Sequence, residues 1–347
     1  MPITRSNHYV PRLYLKQFAD VDGLVQRYRI LVSNESVPSW KRSHIAGIGY
    51  QENLYTRALP DGDSDEIEQW LSKDFESPAE DVISRLTSDE RLSKTDYDIL
   101  TRFVAAQLVR TPAFFVKNRE RWIKETDQAT SQALREAETR LKSGKKFEIA
   151  EETNPLLEYL PQKFTYEPSR EPGKTLVRIE TAVGRSTWIF AMKQILTNTI
   201  KKMNHHRWTV VRAHDDIPWF TSDDPVIQLN FRDHNNYSFD GAWGLAKSNI
   251  LFPLSPTHLL FTQVSDKVPP RGSYLDRSMS VFLRKIIAEH AFRYIFAADE
   301  INEIEIMRPR HIDPKAVKQE AAEWSRWHSE QSAVERELIG GARRIHR

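Results

Sequence analysis

The 347 residues, 39% hydrophobic and 28% charged with 9 Trp and 16 Phe, hold too much apolar material for a disordered chain and enough for one large domain or two ordinary ones. The 50 Lys and Arg nearly cancel the 48 Asp and Glu, so the net charge of +2 gives no electrostatic case for nucleic acid. Zero cysteine excludes disulfides, thiolate nucleophiles and zinc ribbons, and no run nears the roughly 20 apolar residues that cross a bilayer. No basic-apolar-small leader opens the chain, so a soluble, cytoplasmic protein with no membrane partner is expected.

The first segment, Asn7-His8-Tyr9-Val10-Pro11-Arg12-Leu13-Tyr14-Leu15-Lys16-Gln17-Phe18, is too aromatic for a loose leader and is expected to enter the core or line a site. Leu24 to Val32 alternates as a strand and ends in a turn at Ser33-Asn34-Glu35-Ser36. A turn at Pro60-Asp61-Gly62-Asp63 precedes an amphipathic helix from Asp65 to Phe75. Ser77-Pro78-Ala79-Glu80 matches a capping box, so a second helix is expected to start there, with Glu76 at the junction.

Lys94 to Arg110 reads as a strong helix. Thr111 is placed to cap a polar helix from Pro112 to Lys142, roughly 45 Å long at about 1.5 Å per residue. That helix is either an exposed arm or half of a homodimer interface. Ser143 to Lys174, rich in Pro, Glu and Lys, reads as a linker or flexible insertion. Thr175–Ile179 is a short strand and Ala182–Asn204 a helix with a clear apolar stripe. Strand-like runs follow at 208–213, 219–220, 226–229, 250–254 and 259–262. A helix at 279–291, a strand at 293–297 and a final helix from Asp313-Pro314 to Gly340-Gly341, about 314–339, complete the chain. The order implies one α+β domain, mostly antiparallel sheet with flanking helices and a helical insertion at about 64–145. The basic runs Lys201–Arg207 and Arg343–Arg347 read as solvated surface.

On a wheel of Ile99 to Arg110, Gln107 falls in the middle of the apolar stripe and Arg110 inside its edge. Burying an amide and a guanidinium costs several kcal/mol unless both find partners. They form either a structural network or a ligand-facing pair in which Arg110 clamps a phosphate or carboxylate. Trp219-Phe220-Thr221-Ser222-Asp223-Asp224-Pro225 is either ordinary turn chemistry or a bulge aiming Thr221, Ser222 and Asp223 at a site. His8, beside Arg12, is expected to hold one tautomer and is a candidate acid or base. His205 and His206 point about 100° apart and are not a metal pair. No Gly-rich phosphate loop, His-x-x-x-His pair or serine elbow occurs.

The pattern His8-Tyr9-x-Pro11-x-x-x-Leu15-x-x-Phe18 resembles the opening of the bacterial family called domain of unknown function 4238. Leu54-Tyr55, Glu76, the segment Ala105, Gln107, Arg110, Thr111 and Pro112, the turn Thr221, Ser222, Asp223 and Pro225, and Phe252 to Pro256 follow in that family's order. Asp224 stands where the family pattern often has asparagine. The resemblance implies positions and no activity.

Three functions are expected as alternatives. In the first, a nuclease-like or other phosphodiester-acting effector, Asp223 with Asp224 or Glu76 would hold one Mg or Mn ion, Arg110 would neutralise charge and His8 would move a proton. In the second, Gln107, Arg110, His8 and Thr221 would recognise a nucleotide or nucleic-acid end without chemistry, with Trp219 or Trp243 stacking bases; the candidate substrate-binding residues are Arg12, Gln107, Thr221 and Ser222. In the third, the chain dimerises through the 112–142 and 314–339 helices and the polar network is structural. His8, Gln107, Arg110 and Asp223 are expected to line one pocket.

Overall fold

The computed structural model describes residues 3–143, 155–160, 162–171 and 175–342. Alternating strands in the second half build a six-stranded sheet in the order Asn236–Ser238, Ile227–Asp233, Asn249–Pro253, His258–Gln263, Trp208–Arg212 and Ser273–Tyr274. All of its pairs are antiparallel except the last. Strand periodicity sorts its side chains into two faces. Val210, Ile250, Phe252 and Leu260 enter the larger core, and Val211, Leu229, Leu251 and Leu259 enter a second one. A four-stranded antiparallel sheet runs Thr221–Ser222, Tyr294–Ala297, Leu24–Arg29 and Trp40–His44. Sheets of mostly antiparallel strands flanked by helices make the fold α+β.

Helix α1 is continuous from Glu66–Leu71 through a π turn at Ser72–Glu76 into Ser77–Thr87. The expected capping box at Ser77 does not form: Glu76 is already helical and no side chain caps that point. Pro78 is accommodated inside a wound helix because the π turn widens it there, and Arg102 donates at 3.5 Å to the carbonyl of Asp74 that Pro78 cannot satisfy. The capping box lies instead at Ser93, whose hydroxyl and backbone exchange bonds with Asp96 and start α2, Lys94–Val109. Thr111 accepts from Phe114 N at 3.2 Å and opens α3, Pro112–Lys142, which buries nothing beyond Trp122.

Helix α4 runs Arg185–Gln194, with a π turn at Ile195–Thr199, to Ile200–Met203. Helix α5, Arg277–His290, is capped by Asp276, and α6 spans Pro314–Ala342. Two further sequence expectations need correction. The first strand splits, because Leu24–Arg29 and Leu31–Val32 join different sheets. The expected linker contains Gln162–Pro168, whose Phe, Tyr and Thr residues suit a strand and whose Lys163 pairs with Glu337 of α6 at 3.3 Å; it pairs antiparallel with the expected strand at Thr175–Thr181. Residues 144–154, 161 and 172–174 of that stretch, and the basic run 343–347, lie outside the described residues. Helices α1 and α2 share the larger core with the sheet and with Tyr14 and Phe18 of the first segment.

Candidate functional site

The first segment is tied down backbone atom by backbone atom. Ser6–His8 pairs antiparallel with Tyr50–Glu52, and then Pro11 opens a single helical turn, Arg12–Leu15. Passing from strand to turn leaves the carbonyls of His8 and Tyr9 without ladder partners, and buried carbonyls must be satisfied. Gln107 Nε2 donates to Tyr9 O at 2.7 Å, and Arg110 Nη2 donates to His8 O. Arg110 Nη1 meets Glu76 Oε1 at 2.5 Å, with Glu68 Oε2 at 3.9 Å. The hydroxyl of Tyr55 donates to the Arg110 carbonyl, and Asn7 Oδ1 accepts from Tyr55 N at 3.2 Å. The two polar residues on α2's apolar stripe are therefore buried, at 1% exposure each, because they serve the backbone of the first segment.

Electrostatics follow from that burial. His8 is buried, and desolvation together with the charges of Arg12 and Arg110 pushes its pKa down to about 4. Its imidazole is neutral at pH 7 and takes a hydrogen bond from Arg12 Nε at 3.2 Å. Burial pushes Glu68 up to about 7 against the pull of Arg110, with Glu76 adding to the rise. Glu68 Oε2 has no hydrogen-bond partner among the described residues.

The turn after Thr221–Ser222 is equally well anchored. Tyr14 donates to Pro253 O at 2.6 Å, so its oxygen accepts from Thr221 Oγ1, also at 2.6 Å. Ser222 Oγ accepts from Asp224 N at 3.2 Å. Asp223 Oδ1 takes the amides of Phe292 and Arg293 at 3.0 and 3.1 Å, and Oδ2 shares the Arg293 amide at 2.9 Å. Burial nevertheless pushes Asp223 up to about 7; the amides pull it down and neighbouring Asp224 adds to the rise. Asp224 Oδ1 accepts from Thr111 Oγ1 at 3.0 Å, and Oδ2 lies 3.7 Å from His290 Nε2. Burial raises its pKa as well, opposed by His290.

Asp223 forms part of the wall of a cavity of about 150 Å³ with Tyr9, Arg27, Tyr50, Arg293 and Trp324. His8, Gln107 and Arg110 are not in that wall. Gln107 holds the carbonyl of Tyr9, which does line the cavity, and Arg110 holds the carbonyl of His8. Arg110 and Glu76 form one cluster, Asp223 faces the cavity, and Asp224 turns to Thr111 and His290. Arg12 reaches His8, while Thr221 and Ser222 are spent inside the turn. Among the described residues no three His, Asp or Glu side chains converge as a metal-holding group. Trp219, one of the expected stacking residues, is core: it is 2% exposed and donates to Ser280 O. Trp243 is half-buried and stacked on His206.

Two further cavities, of about 370 and 480 Å³, share Arg293, Glu320 and Trp324 with the first and line the side of α6. Arg27 and Arg29 occupy alternate positions on one strand and so point to one face, opposite Phe296 and Tyr294. Arg27 lies 5.5 Å over the Tyr294 ring, and neither arginine has an ion-pair partner among the described residues. Sequence reading passed over both, although two arginines two apart in a strand was the available signal. Trp324 and Glu320, on the face of a largely polar helix, carried none.

A family model described as "Protein of unknown function (DUF4238)" matches residues 6–301. No curated protein and no solved structure matches the chain.

Proposed function

Because the chain belongs to this family of proteins of unknown function, DUF4238, we propose a reading built on its cleft alone: it binds a nucleotide or nucleic-acid end beside α6 and acts there on a phosphodiester. Arg27 and Arg29 would take the phosphate charge and Tyr294 or Trp324 would stack the base. Asp223 would transfer the proton. The observation that carries this reading is Asp223 itself, a carboxyl on a cavity wall that Arg27 and aromatic rings also line, whose pKa is pushed up to about 7, where a general acid or base works best at neutral pH.

A one-metal version would recruit Mg or Mn to Asp223 with Asp224 or Glu76, yet Glu76 is engaged by Arg110 and Asp224 by Thr111 and His290. The metal-free version leaves those two contacts in place. The test is cleavage of short end-labelled DNA and RNA oligonucleotides by the full chain, with EDTA, Mg²⁺ or Mn²⁺, beside Asp223→Asn. Cleavage in EDTA that Asp223→Asn abolishes supports the reading. Cleavage that appears only with metal supports the one-metal version. Saturable binding without cleavage makes the cleft a non-catalytic module, and neither binding nor cleavage removes the proposal.

A second reading is favoured by α3, which exposes Val116, Ile123, Leu134 and Leu141, spaced by 7, 11 and 7 residues along one polar helix. Seven- and eleven-residue spacings suit a helix-to-helix seam, so a homodimer through α3 is proposed. A monomer mass by light scattering at about 100 μM would dismiss it.

A further inference from the structure

The six-stranded sheet has a second cavity that the cleft beside α6 does not touch. It lies between the sheet face carrying Leu229, Leu251 and Phe261 and the α5 side chains Met279 and Phe282, and its volume is about 290 Å³. That is just below the roughly 300–1,000 Å³ typical of small-ligand pockets. Most of the lining is apolar, as expected where a sheet and a helix fail to close completely over each other.

Its polar lining is confined and unspent. Asn249 and Gln263 are direct cross-strand partners, so their side chains stand together on the cavity face. Asn249 is only 7% exposed, yet its side-chain amide has no hydrogen-bond partner among the described residues. Its polar atoms open onto the cavity, where an incoming group can reach them. Lys267 is the one charged residue among the described lining, and its ammonium has no ion-pair partner there.

We propose that this cavity binds an aliphatic carboxylate, with the chain against the sheet and α5 and the head at Asn249, Gln263 and Lys267. Asn249 supplies two N–H donors and Lys267 a positive charge, and together these match a carboxylate's acceptor-only oxygens. A neutral alcohol would leave Lys267 unanswered, and a cationic head would meet it with like charge. The apolar lining gives a chain the surface it needs to leave water.

The test is isothermal titration of the full chain with decanoate, decanol and decyltrimethylammonium. Decanoate is expected to bind saturably at one site, with a negative heat-capacity change that marks apolar burial. Lys267 is exposed, so Lys267→Glu leaves the fold in place; it is expected to weaken decanoate at least tenfold and to leave decanol unchanged. The proposal is overturned if decanoate fails to saturate, if Lys267→Glu binds it as well as the parent, or if decyltrimethylammonium binds as tightly as decanoate.

Discussion

Arg110→Met removes the guanidinium that ties α2 to the first segment while keeping a side chain of similar reach. Three partners are left behind in a region closed to water: Glu76 at 2.5 Å, Glu68 at 3.9 Å and the carbonyl of His8. The side chains of Glu76 and Glu68 are only 17% and 14% exposed, so water cannot replace the lost cation well. Breaking a buried pair by deleting one partner costs about 3–5 kcal/mol, mostly the stranded charge. For 347 residues, an unfolding entropy of about 2.1 cal/mol/K per residue makes that a fall of roughly 4–7 °C in Tm. Guanidinium unfolding followed by tryptophan fluorescence reads the same loss. Glu76→Gln added to Arg110→Met should restore part of it, because the stranded charge is then gone, giving a coupling of about 1–3 kcal/mol. Arg110→Lys should fall between, since one ammonium reaches Glu76 or the His8 carbonyl but not both in planar geometry. An Arg110→Met chain within about 1 kcal/mol of the parent, or one indifferent to Glu76→Gln, would refute the view that Arg110 is a structural clamp.

Two titrations follow from the same burial. With its folded pKa at about 4 against an ordinary 6.5, the His8 imidazole should stay neutral in NMR spectra down to about pH 4, and its contribution to stability should be lost as pH falls through that window; a midpoint near 6.5 would mean the ring is solvated. Asp223 works the other way. The folded carboxyl keeps its proton until about pH 7 while the unfolded one loses it near 4, so stability relative to Asp223→Asn should fall from pH 4 to pH 7 and level off above. A difference independent of pH between 4 and 8 would show that Asp223 is ionised throughout.

Periodicity carried much of the fold into the sequence. The stripe of α4, the Thr111 cap and the strands at 208–212, 227–233, 249–253 and 258–263 stand close to where they were expected, because each is set by local spacing and burial, whereas Trp219 and Phe220 are not strand and precede the strand Thr221–Ser222. Long-range contacts were not readable. The π turn that absorbs Pro78 depends on α1 packing against α2, and the strand inside the expected linker reaches α6 through Lys163 and Glu337, 174 residues apart in sequence. At the site, the wheel located Gln107 and Arg110 as buried polar residues but could not say that their partners were carbonyls of residues 8 and 9, since backbone acceptors leave no mark on side-chain pattern. Asp223 was legible as turn chemistry. The arginines and aromatics that share its cleft come from residues 27–29, 292–294 and 320–324, and only the folded chain brings them together.

The cleft stands or falls on Arg27 and Arg29, the two arginines of its strand that have no ion-pair partner among the described residues. The decisive measurement is the affinity of the full chain for a short 5′-phosphorylated single strand, at several salt concentrations, beside the Arg27→Ala/Arg29→Ala double variant. If both arginines hold phosphates, the variant should bind at least tenfold more weakly, and its salt slope should drop by about 1.4, at roughly 0.7 per contact on single strands. Equal affinity and an unchanged slope would place any nucleic-acid binding elsewhere on the molecule and contradict the account.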